Sequence, residues 1–126
     1  SAMNLVDSCG WIEYFSDSPH ADFYAAAIEN LRDLIVPTVC IAEVFKKLCV
    51  AVEEDRALVA IAHMRQGKVI SLTESIALAA AKFGIEKKLP FADSIIYATG
   101  IISGAQIVTQ DRHFQHLEGV RFLDNS

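Results

Sequence analysis

Short apolar runs alternate along the chain with longer stretches whose apolar positions recur every three or four residues. This is the rhythm of strands and helices in a parallel α/β sheet. Met3 to Val6 reads as a first strand, and Ser8 as the cap of a helix across Gly10 to Phe15. A turn at Ser16 to Pro19 leads into a second helix, from about His20 to Leu31. Leu34 to Val36 reads as a short buried strand. Pro37 and Thr38 open a helix that runs to about Val52, with Ile41, Phe45, Leu48 and Val52 as its apolar positions.

Glu53 to Met64 reads as a further helix, ended by Gln66 and Gly67. Val69 to Ser71 reads as a third strand, and Thr73 as the cap of a helix reaching about Phe83, with Gly84 as its C-terminal stop. A charged loop is expected from Glu86 to Pro90, then a helix from Phe91 to Ile102 closed by Ser103 and Gly104. Gln106 to Val108 is a fourth strand, Gln110 to His116 a short helical turn, and Val120 to Leu123 a last strand. The expected fold is a three-layer α/β/α sandwich around a mostly parallel sheet of four or five short strands.

With 126 residues the chain fits one domain, placed here at 3–124. Hydrophobic residues make up 52%, enough for a real core, and charged residues 21%, too few for a disordered chain. Ser1 and Ala2 look like a tag remnant before Met3. Asp7 interrupts the early apolar run, and no apolar stretch reaches the ~20 residues of a membrane helix, so a cytoplasmic protein is expected. The three cysteines, Cys9, Cys40 and Cys49, have neither a disulfide nor a zinc spacing and read as small buried apolar residues. A net charge of −5 argues against a basic nucleic-acid surface. It leaves room for one if the acids gather around a cation that phosphate can approach.

Ligands of open α/β sheets bind outside the carboxyl ends of the strands. Asp7 follows the first strand and Asp111 the fourth, while Glu43 and Asp93 lie one turn or less into otherwise apolar helices. Each has a structural reading alone. Asp7 and Asp111 would cap helices, Glu43 would pair with Lys46 and Lys47, and Asp93 would complement a helix dipole. Helix N-termini and strand C-termini meet at one edge of such a sheet, so the four acids are expected to converge. A bare cluster would repel itself, and a hard divalent cation relieves that.

Four segments carry a resemblance: Asn4-Leu5-Val6-Asp7-Ser8, Ile41-Ala42-Glu43-Val44, Phe91-Ala92-Asp93-Ser94-Ile95-Ile96-Tyr97-Ala98-Thr99 and Val108-Thr109-Gln110-Asp111-Arg112-His113-Phe114. In order and spacing they resemble the PIN-domain ribonucleases, and within them the VapC-type toxins of prokaryotic toxin–antitoxin pairs. The resemblance runs from Met3 to Leu123. It implies a PIN-like fold and metal-dependent cleavage of RNA, leaving a 5′-phosphate and a 3′-hydroxyl. It implies that Asp7, Glu43, Asp93 and Asp111 are both catalytic residues and the ligands of Mg²⁺ or Mn²⁺, with Ser8 and Thr109 supporting them by hydroxyl hydrogen bonds.

The family pattern often carries another acid two residues after Asp111. His113 stands there, and it reads as a loop-surface residue; His20, His63 and His116 have no metal spacing and no assigned role. The resemblance further implies a homodimer and an antitoxin laid in an apolar groove, for which Trp11, Tyr14, Phe15 and Phe45 are candidate lining residues. Candidate RNA contacts are Arg112, Lys46 and Lys47, with Glu86-Lys87-Lys88 as a further possibility. No membrane partner is expected. Two alternatives stand beside this reading: a magnesium-binding receiver-like domain phosphorylated on Asp, and a PIN-like module that binds without cutting.

Overall fold

The protein is described by a computed structural model covering residues 2–125. Of the expected tag remnant, Ser1 lies outside the described residues. In chain order the elements are β1 (Met3–Val6), α1 (Ser8–Phe15), α2 (Ala21–Glu29), β2 (Leu34–Pro37), α3 (Thr38–Ala51), α4 (Glu54–Met64), β3 (Lys68–Ile70), α5 (Glu74–Lys87), α6 (Phe91–Ile102), β4 (Ala105–Thr109) and β5 (Val120–Phe122). Two 3₁₀ turns, Leu31–Asp33 and Arg112–Phe114, complete it.

All five strands are parallel, in the order β3-β2-β1-β4-β5. The expected sandwich is therefore present, with five strands and an all-parallel sheet. Progress across the sheet reverses once, between β3 and β4. Right-handed crossovers then put α1 to α4 on one face and α5 with α6 on the other. Central β1 has β2 on one side and β4 on the other, and their inward side chains (Leu5, Val6, Leu34, Ile35, Ile107, Val108) are buried. Trp11, Tyr24, Ile28, Val44 and Met64 complete the main core from the helices. The crevice between the ends of β1 and β4 is the switch point of the sheet, where such folds hold ligands.

Several local expectations are corrected. Asp7, not Ser8, is the N-cap of α1, which starts at Ser8. The second helix stops at Glu29 and gives way to the first 3₁₀ turn before β2. Gly84 does not stop α5, which runs to Lys87 and takes in Glu86 and Lys87 of the expected loop; Lys88, at φ 55°, is its left-handed cap. A glycine inside a helix costs roughly 1 kcal/mol. Packing of α5 on α6 outweighs that, and a Cβ at Gly84 would meet Ser94 at an ordinary 3.6 Å. On α3 the fully buried positions are Cys40 and Val44, one residue before the expected Ile41 and Phe45; these two, Leu48 and the C-cap Val52 are half-buried. Cys49 lies on the opposite side of that helix from Cys40 and is exposed, and Cys9 is partly exposed; only Cys40 among the three cysteines is buried.

Candidate active site

The site begins with backbone geometry at the two central strands. Asp7 leaves β1 with its N–H donating to the Val108 carbonyl of β4 at 3.0 Å, so the two strand ends are pinned side by side. As the cap of α1, the Asp7 carboxylate accepts from Ser8 N–H at 2.7 Å. Its other oxygen accepts from the Thr109 hydroxyl at 2.7 Å. The same hydroxyl oxygen accepts the backbone N–H of Asp111 at 2.9 Å. One threonine thus sets the position of two acids.

The remaining acids arrive from the helices. Ser8 donates through Oγ to Glu43 Oε1 at 2.6 Å, tying the start of α1 to α3. Asp93 stands in the first turn of α6, and Asp111 caps the second 3₁₀ turn by accepting from His113 N–H at 2.9 Å. Asp7, Glu43, Asp93 and Asp111 line one open cavity of about 680 Å³, together with Ser8, Cys9, Ile12, Lys46, Lys47, Val50 and Ala51.

Burial and crowding leave these acids short of compensating charge. Asp7 is 4% exposed, and desolvation raises its pKa to about 6, against the lowering effect of its hydrogen bonds from Thr109 and Ser8. Asp93 is also raised, first by burial and then by the charge of Asp111, with the His113 hydrogen bond working the other way. Burial and the Asp7 charge push the Cys9 thiol up to about 12, so it stays neutral, with Sγ 3.5 Å from Asp7 Oδ2.

His113 is an exposed residue of the turn after β4, as expected, and it also reaches the acids. Its ring is turned in from the 3₁₀ turn, with Nδ1 2.8 Å from Asp93 Oδ2 and 3.1 Å from Asp111 Oδ1. One donor atom each from Asp93, Asp111 and His113 lie within 4.8 Å of one another, the one such group among the described residues. The sequence signal was available: Asp111 and His113 are two apart, and an Asp cap that binds the N–H two residues on folds that residue back beside it. Cys9, two residues after Asp7, was also missed as a cavity residue.

Of the candidate RNA contacts, Lys46 and Lys47 line the cavity. Arg112 does not; it pairs with Asp124 at 3.6 Å and donates to Gln115 at 3.4 Å. A second groove of about 370 Å³ lies between α1, α3 and α4, lined by Phe15, Leu48, Val52, Arg56, Val59, Ala60 and His63. Trp11 is fully buried and stacks on Phe15, Tyr14 lines a neighbouring depression, and Phe45 is half-buried on α3 outside the groove lining. His63, given no role from sequence, packs its ring edge-on against Phe15 at 5.7 Å.

Sequence comparison decides the family. The profile of the PIN domain matches residues 5–120. The chain belongs to the PIN domain family. PIN domains are in general nucleases that use divalent metal, and the match sets aside the receiver-like alternative. Among solved structures this PIN domain is similar to a toxin–antitoxin complex from Klebsiella pneumoniae, with a TM-score of 0.80, 23% identity, and 94% of this chain and 95% of that one covered. It is similar to VapBC2 from Rickettsia felis bound to a promoter DNA fragment, with TM-score 0.76, 12% identity, and 96% and 97% covered. DNA-bound VapBC from Salmonella typhimurium gives TM-score 0.75, 14% identity, and 98% of both chains. At these identities the likeness establishes the fold. No curated protein matches the sequence significantly. Among the described residues no helix is long and apolar enough to cross a membrane.

Proposed function

We propose that this PIN domain is a metal-dependent endoribonuclease that hydrolyses RNA phosphodiester bonds, and that it serves as the cytoplasmic toxin of a toxin–antitoxin pair. The observation that carries the reading is the convergence of Asp7, Glu43, Asp93 and Asp111 on one cavity at the switch point of the sheet.

The donor set fits a hard divalent ion. Four carboxylates face one space, two have raised pKa values, and Lys46 and Lys47 are the cations lining it. Asp7, Glu43, Asp93 and Asp111 would hold Mg²⁺ or Mn²⁺, both of which take oxygen ligands. Such an ion, when bound, polarises the scissile phosphate and lowers the pKa of water. Lys46 and Lys47 then receive the phosphates of an extended RNA strand, and Ile12, Val50 and Ala51 give the cavity an apolar side for a base. Among the carboxylates around the ion, Asp93 would accept a proton from the attacking water at a carboxylate oxygen. Ser8 and Thr109 hold the acceptor lone pairs of Glu43 and Asp7 in fixed directions.

The toxin reading draws on the similar structures, which are toxin–antitoxin complexes. It also draws on the groove at Phe15, Leu48 and Val59, whose apolar lining suits an amphipathic antitoxin segment. The implied homodimer has a candidate face on α5, where exposed Ile85 lines one depression with exposed Phe91 of α6.

The test is cleavage of a mixed RNA pool by wild type and Asp93→Asn, purified identically, with Mg²⁺ or Mn²⁺ and with chelator. Metal-dependent cleavage by wild type alone is expected. Equal cleavage by both that survives repurification would overturn the assignment of Asp93, and cleavage that purification removes would be a contaminant's. Absence of cleavage by either, with RNA still bound, would favour the module that binds without cutting.

A further inference from the structure

The tightest group of ligand atoms in the site is not made of carboxylates alone. His113 Nδ1 lies 2.8 Å from Asp93 Oδ2 and 3.1 Å from Asp111 Oδ1, and all three atoms fall within 4.8 Å of one another. Neighbouring donors of an octahedral ion with bonds of about 2.1 Å stand about 3.0 Å apart. The two imidazole–carboxylate separations bracket that edge length, so the Nδ1 atom that hydrogen-bonds Asp93 in the ion-free protein stands where a donor next to both carboxylates would stand around one ion.

We propose that His113 is a ligand of the divalent ion in this PIN domain, joining Asp93 and Asp111 in a mixed nitrogen–oxygen site that favours Mn²⁺ or Co²⁺ over Mg²⁺. The inference rests on the metal-dependent reading above and adds a residue and a metal preference to it. Carboxylate and water oxygens suit Mg²⁺ and Mn²⁺ alike, whereas imidazole shifts affinity toward transition ions. The placement of the ring is built rather than accidental. Asp111 holds the His113 backbone by accepting its N–H at 2.9 Å, and Thr109 holds Asp111 by accepting its N–H. The imidazole side chain is 56% exposed while Asp93 and Asp111 are 13% and 31% exposed. The ring therefore closes the group from the solvent side and leaves positions toward the cavity for water and substrate.

The experiment is metal binding without RNA. Mn²⁺ is titrated into wild type, His113→Asn and His116→Asn, and bound Mn²⁺ is read by pulsed electron paramagnetic resonance for coupling to imidazole ¹⁴N. Affinities for Co²⁺ and Mg²⁺ are measured on the same proteins by calorimetry. The proposal expects ¹⁴N coupling in wild type and His116→Asn and its loss in His113→Asn. It expects Co²⁺ affinity to fall in His113→Asn by on the order of tenfold, with Mg²⁺ affinity little changed. Bound Mn²⁺ without ¹⁴N coupling in wild type would overturn it. In that case the carboxylates hold the ion alone and His113 serves as their counter-charge, while the nuclease reading stands. Failure of every divalent ion to bind would overturn both readings together.

Discussion

The Thr109 hydroxyl donates to the Asp7 carboxylate at 2.7 Å across 102 residues of sequence, at a point where both side chains are shut off from solvent. Because the same oxygen accepts the Asp111 N–H, this one contact couples the end of β1 to the turn after β4. Thr109→Val keeps the shape and removes the bond. The loss of a hydrogen bond to a buried charge should destabilise the fold by roughly 1.5–3 kcal/mol. It should also weaken Mn²⁺ binding by freeing Asp111, and Thr109→Ser should restore most of both. Denaturant unfolding and calorimetric titration on the three proteins check this; equal stability of Val and wild type would show that the hydroxyl is not holding the carboxylate.

Asp7 sets the sign of a pH effect. Its pKa rises from 3.8 to about 6 on folding because burial disfavours the charged form. Below 3.8 the group is protonated in folded and unfolded chains alike and contributes nothing. Between 3.8 and about 6 the unfolded chain ionises while the folded one resists, so stability falls as pH rises. Above that range the buried charge costs about 3 kcal/mol. Metal-free protein in chelator should therefore gain stability as pH drops from 7 toward 5. Asp7→Asn should be more stable than wild type at pH 7 and should gain less stability over the same window, while losing cleavage. Thermal unfolding against pH reads this directly, and a wild-type curve that rises with pH would contradict it.

The acids were legible in the sequence because strand ends are. Asn4-Leu5-Val6 and Ile107-Val108 are too apolar and too short to be anything but buried strands, and the residue that follows such a strand must sit at the sheet's carboxyl edge. The Gly84 stop misled because a helix end read from one glycine is a local argument, and α6 supplies a non-local contact that carries α5 on to Lys87. The phase of α3 was misjudged for a similar reason: Cys40 and Val44 face the core, while Leu48 and then Phe45 sit half-covered further round one side. For His113 the two-residue spacing from Asp111 was visible, but the direction of its ring depends on the curl of a three-residue 3₁₀ turn, which leaves no periodic pattern.

Close approach of α1 to α2 depends on Gly10. A Cβ there would lie 2.5 Å from the Tyr24 ring and 2.7 Å from Val6 Cγ1. Tyr24 is fully buried and donates to Gln110 at 2.9 Å, next to Asp111, so it has little room to yield. Gly10→Ala should cost about 1–3 kcal/mol by overpacking, despite the better helix propensity of alanine. A variant with wild-type unfolding midpoint would mean that the ring can move aside.

Lys46 and Lys47 differ from Arg112 in a way that RNA binding should report. The two lysines line the acid cavity, whereas Arg112 is engaged by Asp124 and Gln115. A single-stranded nucleic acid releases counterions in proportion to the phosphates neutralised, with a log–log salt slope of about 0.7 per contact. Binding of a cleavage-resistant single-stranded oligonucleotide should therefore weaken in Lys46→Ala and Lys47→Ala. Each change should shrink the slope by about 0.7, and the double variant by about twice that. Arg112→Ala should leave both affinity and slope close to wild type. If instead Arg112→Ala produced the larger loss, the strand would have to run over the turn after β4 rather than along α3, and the lysines would be no more than a solvated face of that helix.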